Sequence, residues 1–184
     1  MLDEKQLITD CVNEKREAQR ILYDRYSRRL MAICLRYCRT RAEAEDVLQE
    51  TFLKIFASLR TFRFESKLET WMTRITINTA LNFQRQRLYL LPMVDVTEIQ
   101  LMEDENVSLA DFHFSELIKI VQALPDGCRI VFNLFAIEGY VHSEIASMLN
   151  ISEGTSKSQL FRARTLLREK IDQASMKYEE GKNI

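Results

Sequence analysis

The chain has 184 residues, 46% hydrophobic and 29% charged, which excludes an intrinsically disordered chain. Only 4 glycines and 2 prolines are present, too few for a turn-rich all-β fold. A net charge of −1 excludes a uniformly basic nucleic-acid binder.

Residues 3–22 carry helical periodicity, with Leu7, Ile8, Cys11 and Val12 on one side. A second helix is predicted from about Arg20 to Arg39, with Leu22, Tyr26, Leu30, Ile33 and Tyr37 stepping at three and four. A third runs from near Ala42 to near Leu59 on the stripe Val47, Leu48, Phe52, Ile55, Phe56 and Leu59. The loop Arg60-Thr61-Phe62-Arg63-Phe64 follows, then a fourth helix over about Leu68–Arg87. Residues 91–111 lose the pattern: Pro92 opens the stretch and acids dominate it. It reads as a linker or as a short helix folded back, since Ile99, Leu101 and Met102 are apolar. A helix over residues 113–124 is closed by Pro125. Asp126 is expected to cap the next, which stops at Gly139. Ser143 is expected to cap a short helix to Leu149. Asn150 suits a left-handed turn, and Ser152 caps a last helix to about Ala174. The expected fold is all-α: two small helical domains, residues 1–90 and 113–175, joined by an acidic linker, 91–112. A polar tail spans 176–184.

No apolar run approaches the ~18 residues that span a bilayer. Met1-Leu2-Asp3-Glu4-Lys5 has no apolar signal core, so a cytoplasmic location without direct membrane contact is expected. Cys34 and Cys38 lie four apart, as if on one helix face, but the spacing of Cys11, Cys34, Cys38 and Cys128 matches no zinc pattern. With His113 and His142 far off in sequence, the thiols are expected reduced and mostly buried, with no metal and no cofactor.

Charge is segregated. Residues 54–87 hold Lys54, Arg60, Arg63, Lys67, Arg74, Arg85 and Arg87 against Glu65 and Glu69. Residues 91–111 hold acids and no base. Residues 152–170 are basic again through Lys157, Arg162, Arg164, Arg168 and Lys170. Such a chain can bind phosphate locally, with weak DNA affinity alone, which suggests that it works inside a larger assembly.

Residues 142–162 read as a helix-turn-helix. Ile145, Ala146 and Leu149 form one inner face; Leu160, Ala163 and Leu167 form the other. That leaves Lys157, Ser158, Phe161, Arg162 and Arg164 outward or at the edges. Arg162 can make a bidentate contact to guanine, and Ser158 can donate or accept. An ordinary helical hairpin with a solvated basic face is the plainer alternative.

The run from Ile137 through Glu-Gly-Thr-Ser-Lys-Ser to Arg-Ala-Arg and Arg168, preceded by Leu124-Pro125, resembles the fourth conserved domain of extracytoplasmic-function sigma factors, of the sigma-70 family. The resemblance implies that this domain reads the −35 promoter element. Thr155, Lys157, Ser158, Phe161, Arg162 and Arg164 fall where members meet it. Ser156 departs from the family's usual β-branched apolar residue. His142 reads as a surface histidine.

The run from Asp46 to Phe56, Asp-Val-Leu-Gln-Glu-Thr-Phe-Leu-Lys-Ile-Phe, is an amphipathic helix. Asp46, Glu50 and Lys54 share one face; read plainly, that face is solvated and braced by a Glu50–Lys54 pair. The same run resembles the second sigma domain, where the signature docks on the clamp of bacterial core RNA polymerase. The implied contacts are Asp46, Gln49 and Glu50, with Phe52 and Lys54. Thr70-Trp71 and the run Ile77–Asn82 resemble the part that opens DNA at the −10 element. The implied −10 set is Phe62, Lys67, Trp71, Arg74, Asn78, Asn82 and Arg85. Cations hold phosphate, Asn78 can read a base edge, and Phe62 and Phe64 can stack on bases. For Trp71, Phe62 and Phe83, core packing is the alternative.

The resemblance spans about residues 5–172. It implies a non-catalytic subunit with core RNA polymerase and promoter DNA as partners, and an anti-sigma protein as the factor's regulator. A stand-alone helix-turn-helix regulator is the runner-up. It would need an effector pocket or dimer surface, for which the first ninety residues carry no specific sign. No nucleophile–base pair, metal cluster or phosphate-binding glycine loop supports an enzyme.

Overall fold

The computed structural model describes residues 3–88 and 114–182, with side chains over 3–84 and 117–173. Every regular element among them is helical. The predicted linker and His113 lie outside the described residues. The chain divides into two compact units, Met1–Arg85 and Gln86–Ile184.

In the first unit, α1 (Glu4–Val12), α2 (Arg16–Tyr37) and α3 (Arg41–Ser58) lead through a 3₁₀ turn, Leu59–Thr61, to α4 (Leu68–Leu88). α2 packs along α3 and against α1. Leu7, Leu22, Leu30, Tyr37, Val47, Ile55, Leu68 and Met72 are wholly buried; each such leucine contributes about 1.5–3 kcal/mol. Arg29 pairs with Glu69, tying α2 to α4.

The unbroken helical period expected over 3–22 is interrupted. Glu14 takes a left-handed φ of 57°. Its N–H donates to the Cys11 carbonyl and that of Lys15 to Asp10, both at 3.0 Å, satisfying carbonyls at the end of α1. Cys38 is extended, at φ −97°, ψ 155°, so it leaves α2 and shares no helix face with Cys34. Thr40 then caps α3, its side chain accepting from the Glu43 N–H. All four thiols are free and buried. Burial pushes Cys11 up to about 11 and Cys34 up to about 12.

In the second unit, α5 (Phe114–Gln122), α6 (Asp126–Phe132), a π segment (Asn133–Ile137) and α7 (His142–Leu149) precede α8 (Glu153–Lys182). α6 and α7 pack on α8. Leu124, Cys128 and Ala163 form a core cluster that Phe132, Leu166 and Leu167 cover. Asp126 is no cap: Pro125 holds the N-cap position, and the Asp126 carboxylate instead receives the buried Arg129 guanidinium. Arg129 Nη1 also donates to the carbonyls of Gln122 (3.2 Å) and Leu124 (3.0 Å) at the end of α5. Ser143 is no cap either. Val141 holds that position, and its N–H donates to Glu144 Oε2 at 2.9 Å. α8 continues past the expected end near Ala174; the added residues include ordinary helix formers and no proline.

Candidate functional site

The helix-turn-helix is built by local chemistry. Gly139, at φ 81°, ends the segment after the π turn. Asn150, at φ 55°, ψ 50°, makes the left-handed turn after α7, and the Ile151 N–H returns to the Ala146 carbonyl. Ser152 Oγ accepts from the Thr155 N–H at 2.9 Å, starting α8. Ile145, Leu160 and Ala163 are buried as expected. Thr155, Lys157, Ser158, Phe161, Arg162 and Arg164 occupy the remaining half of the α8 cylinder, an arc of about 180°. Lys157, Arg162 and Arg164 are exposed, while Thr155, Ser158 and Phe161 are half-buried. The Ser158 hydroxyl already donates to the Thr155 carbonyl at 2.9 Å, so toward a ligand it serves as an acceptor.

On α3, Asp46, Gln49 and Glu50 are exposed. Lys54 Nζ lies 2.6 Å from Glu50 Oε1. Phe52 departs from its expected place on this surface: it is 4% exposed, with its ring 4.6 Å from Tyr23 and 5.9 Å from Phe56. It floors an apolar groove of about 430 Å³, lined also by Tyr23, Leu48, Gln49, Leu53 and Phe56. Leu53, 65% exposed on the groove rim, had no part in the sequence reading. A lone leucine on an acidic helix gives no signal of that kind.

Lys67, Trp71, Arg74, Asn78, Asn82 and Arg85 share one stripe. At about 100° per residue they fall within an arc of about 80°. Lys67, Arg74, Asn78 and Asn82 are exposed and Trp71 is half-buried; the Arg85 side chain lies outside the described residues. Opposite them, Met72, Thr76, Ile77 and Ala80 are buried.

Phe62 requires a correction. It is 8% exposed, held between Phe64 (4.8 Å) and Trp71 (5.4 Å), so it offers no open ring face to a base. The neighbouring ring is the one presented. Phe64 is 48% exposed, its backbone is left-handed at φ 60°, and Lys5 Nζ stands 5.9 Å from its centroid. A bulky aromatic in that conformation is strained.

His142 is also more than a surface residue. Its ring stacks on Phe135, and its Nδ1 meets the buried Ser156 Oγ at 2.9 Å.

Among the described residues, no group of three His, Cys, Asp or Glu side chains could hold a metal ion. No helix there is long and apolar enough to cross a membrane.

Residues 22–88 match sigma-70 region 2, and residues 114–167 match sigma-70 region 4. The RNA polymerase sigma-H factor of Pseudomonas aeruginosa is 31% identical over 183 residues, covering 93% of each chain. The ECF RNA polymerase sigma-E factor of Salmonella typhimurium is 27% identical over 182 residues, covering 92% of this chain and 95% of that one. The sigma factor RpoE of Bartonella quintana, solved in complex with the anti-sigma factor NepR, shares the fold. Its TM-score is 0.51 at 22% identity, over 83% of this chain and 96% of that one. These matches set aside the stand-alone regulator. The chain belongs to the sigma-70 family and is an RNA polymerase sigma factor of the extracytoplasmic-function group.

Proposed function

We propose that the first unit docks on bacterial core RNA polymerase through Asp46, Gln49, Glu50 and Lys54, with the Phe52-floored groove beside them. The α4 stripe holds the opened −10 strand, and α8 reads the −35 element through Thr155, Lys157, Ser158, Phe161, Arg162 and Arg164. Polymerase performs the bond chemistry in the cytoplasm, and this chain supplies no catalytic group. An anti-sigma protein that covers these surfaces would hold the factor inactive.

The observation that carries this reading is the α4 stripe. Lys67, Arg74, Asn78 and Asn82 are all exposed along it, and a cationic and amide row of this kind suits a single strand. Run-off transcription with core polymerase, on genomic fragments from the protein's own host, tests it. New discrete transcripts are expected only when the protein is added; their absence at every fragment would overturn it.

Phe64 adds a sharper test. Phe64→Gly relieves a left-handed backbone strain of about 1–2 kcal/mol, which offsets the lost contact with Phe62 and the added freedom of the unfolded chain, so the variant melts close to the parent. It also removes a stacking ring worth about 1–3 kcal/mol per base, so open complexes fall by about 5- to 150-fold. Permanganate footprinting of the −10 strand measures this. Unchanged opening by the glycine variant would show that Phe64 touches no base.

A further inference from the structure

His142 opens α7 and touches two other elements at once. Its ring and that of Phe135 in the π segment lie 4.5 Å apart, with planes inclined by 23°. Its Nδ1 is 2.9 Å from Ser156 Oγ, and Ser156 is wholly buried in the first turn of α8. Lys157 is the next residue. The imidazole thus ties the supporting helix to the recognition helix beside its exposed cations.

These contacts tolerate either charge state. Neutral imidazole can donate to or accept from the hydroxyl, and imidazolium donates to it through Nδ1–H. The Phe135 ring accepts a cation over its face. What disfavours the charge is the surroundings. Burial first, then Lys157, hold the imidazole below the ordinary histidine value; Glu153 acts the other way, and Arg164 adds to the lowering. The π segment carries no charged residue. On α7, the Glu144 carboxylate accepts the Val141 N–H. Lys157 and Arg164 belong to the surface assigned to the −35 element, and bound DNA phosphates offset their charge.

We propose that His142 is a positioning residue for −35 recognition that takes up a proton when α8 engages DNA. This rests on the reading of α8 as the −35 helix. DNA removes part of the field that opposes the imidazolium, so the complex holds more proton than the free protein. Binding therefore tightens as pH falls, by at most about tenfold per pH unit for one group. Lysine and arginine keep their charge over about pH 6–8, and the chain has only one other histidine, His113.

The full-length protein, assembled with core polymerase, is titrated onto duplex promoter fragments recovered from the run-off assay. Wild type, His142→Gln and His142→Lys are compared at about pH 6 and about pH 8. The wild-type holoenzyme is expected to gain about 3- to 10-fold in affinity at the lower pH beyond any change shared by both variants. Equal pH dependence in all three overturns the proposal. Carbon-13 histidine spectra of the full chain give a readout that needs no variant. At duplex concentrations that saturate the chain, the His142 resonance should titrate at higher pH than without duplex; an unchanged or lower midpoint at saturation also overturns the proposal. Equal wild-type affinity for the same fragments with the −35 element scrambled would instead sink the −35 reading, and this inference with it.

Discussion

Substituting Glu50 by lysine is expected to weaken binding to core RNA polymerase by at least about 30-fold, or about 2 kcal/mol, while leaving the fold intact. Glu50 is exposed on α3 between Asp46 and Lys54. In the free protein it pairs with Lys54, at 2.6 Å. Reversing it puts two cations one helical turn apart, which costs only a few tenths of a kcal/mol. The fold therefore has little at stake at this position, and a docking surface has much. Fluorescence anisotropy of the labelled factor against core polymerase measures the loss, and thermal melting should move by no more than about 2 °C. Glu17→Lys, an equal reversal on the exposed start of α2, should bind as the parent does. Parent-like affinity for Glu50→Lys would remove the α3 face from the docking surface.

Arg129→Met should have the largest effect on stability. The wholly buried guanidinium serves the Gln122 and Leu124 carbonyls and the Asp126 carboxylate. Methionine matches much of its bulk but leaves those acceptors buried with one fewer donor. Breaking a buried pair from one side costs about 3–5 kcal/mol. The loss should fall on the second unit, where amide hydrogen exchange in α6, α7 and α8 would speed up while α1–α3 keep their protection. Adding Asp126→Leu removes the stranded carboxylate and should recover a substantial part of the loss. Parent-like exchange in the single variant would mean that the carbonyls of α5 find other donors.

What could be read from residues alone follows from how local the determinants are. The turn at Asn150 and the cap at Ser152 are visible because each residue type has a short-range preference that its neighbours do not override. The α4 stripe is visible because a helix has a fixed period. The misses are of another kind. Phe52 belongs to the right helix, but Tyr23 on α2 covers it, a contact made across two helices. Phe62 and Phe64 sit in a loop without a period, and only the chain path decides which ring is buried. Glu14 takes a glycine-like conformation with nothing in its identity to announce it. Asp126 looks like a cap and is a counter-ion, because Arg129 turns back under α5. The His142–Ser156 bond spans 14 positions; a departure from the family pattern at Ser156 was legible, but not the ring that compensates for it.

The sulfur chemistry of this factor narrows how a stimulus can reach it. Oxidants and electrophiles attack thiolates, and they need access to them. The four cysteines are buried, and burial raises Cys11 to about 11 and Cys34 to about 12, so at neutral pH these two stay protonated. Cys128 is pushed up as well and donates to Gln159 Oε1 at 3.0 Å. Peroxide or an alkylating agent therefore meets buried, protonated thiols at Cys11 and Cys34. A stimulus that acts on thiols finds no ready target in these four buried sulfurs.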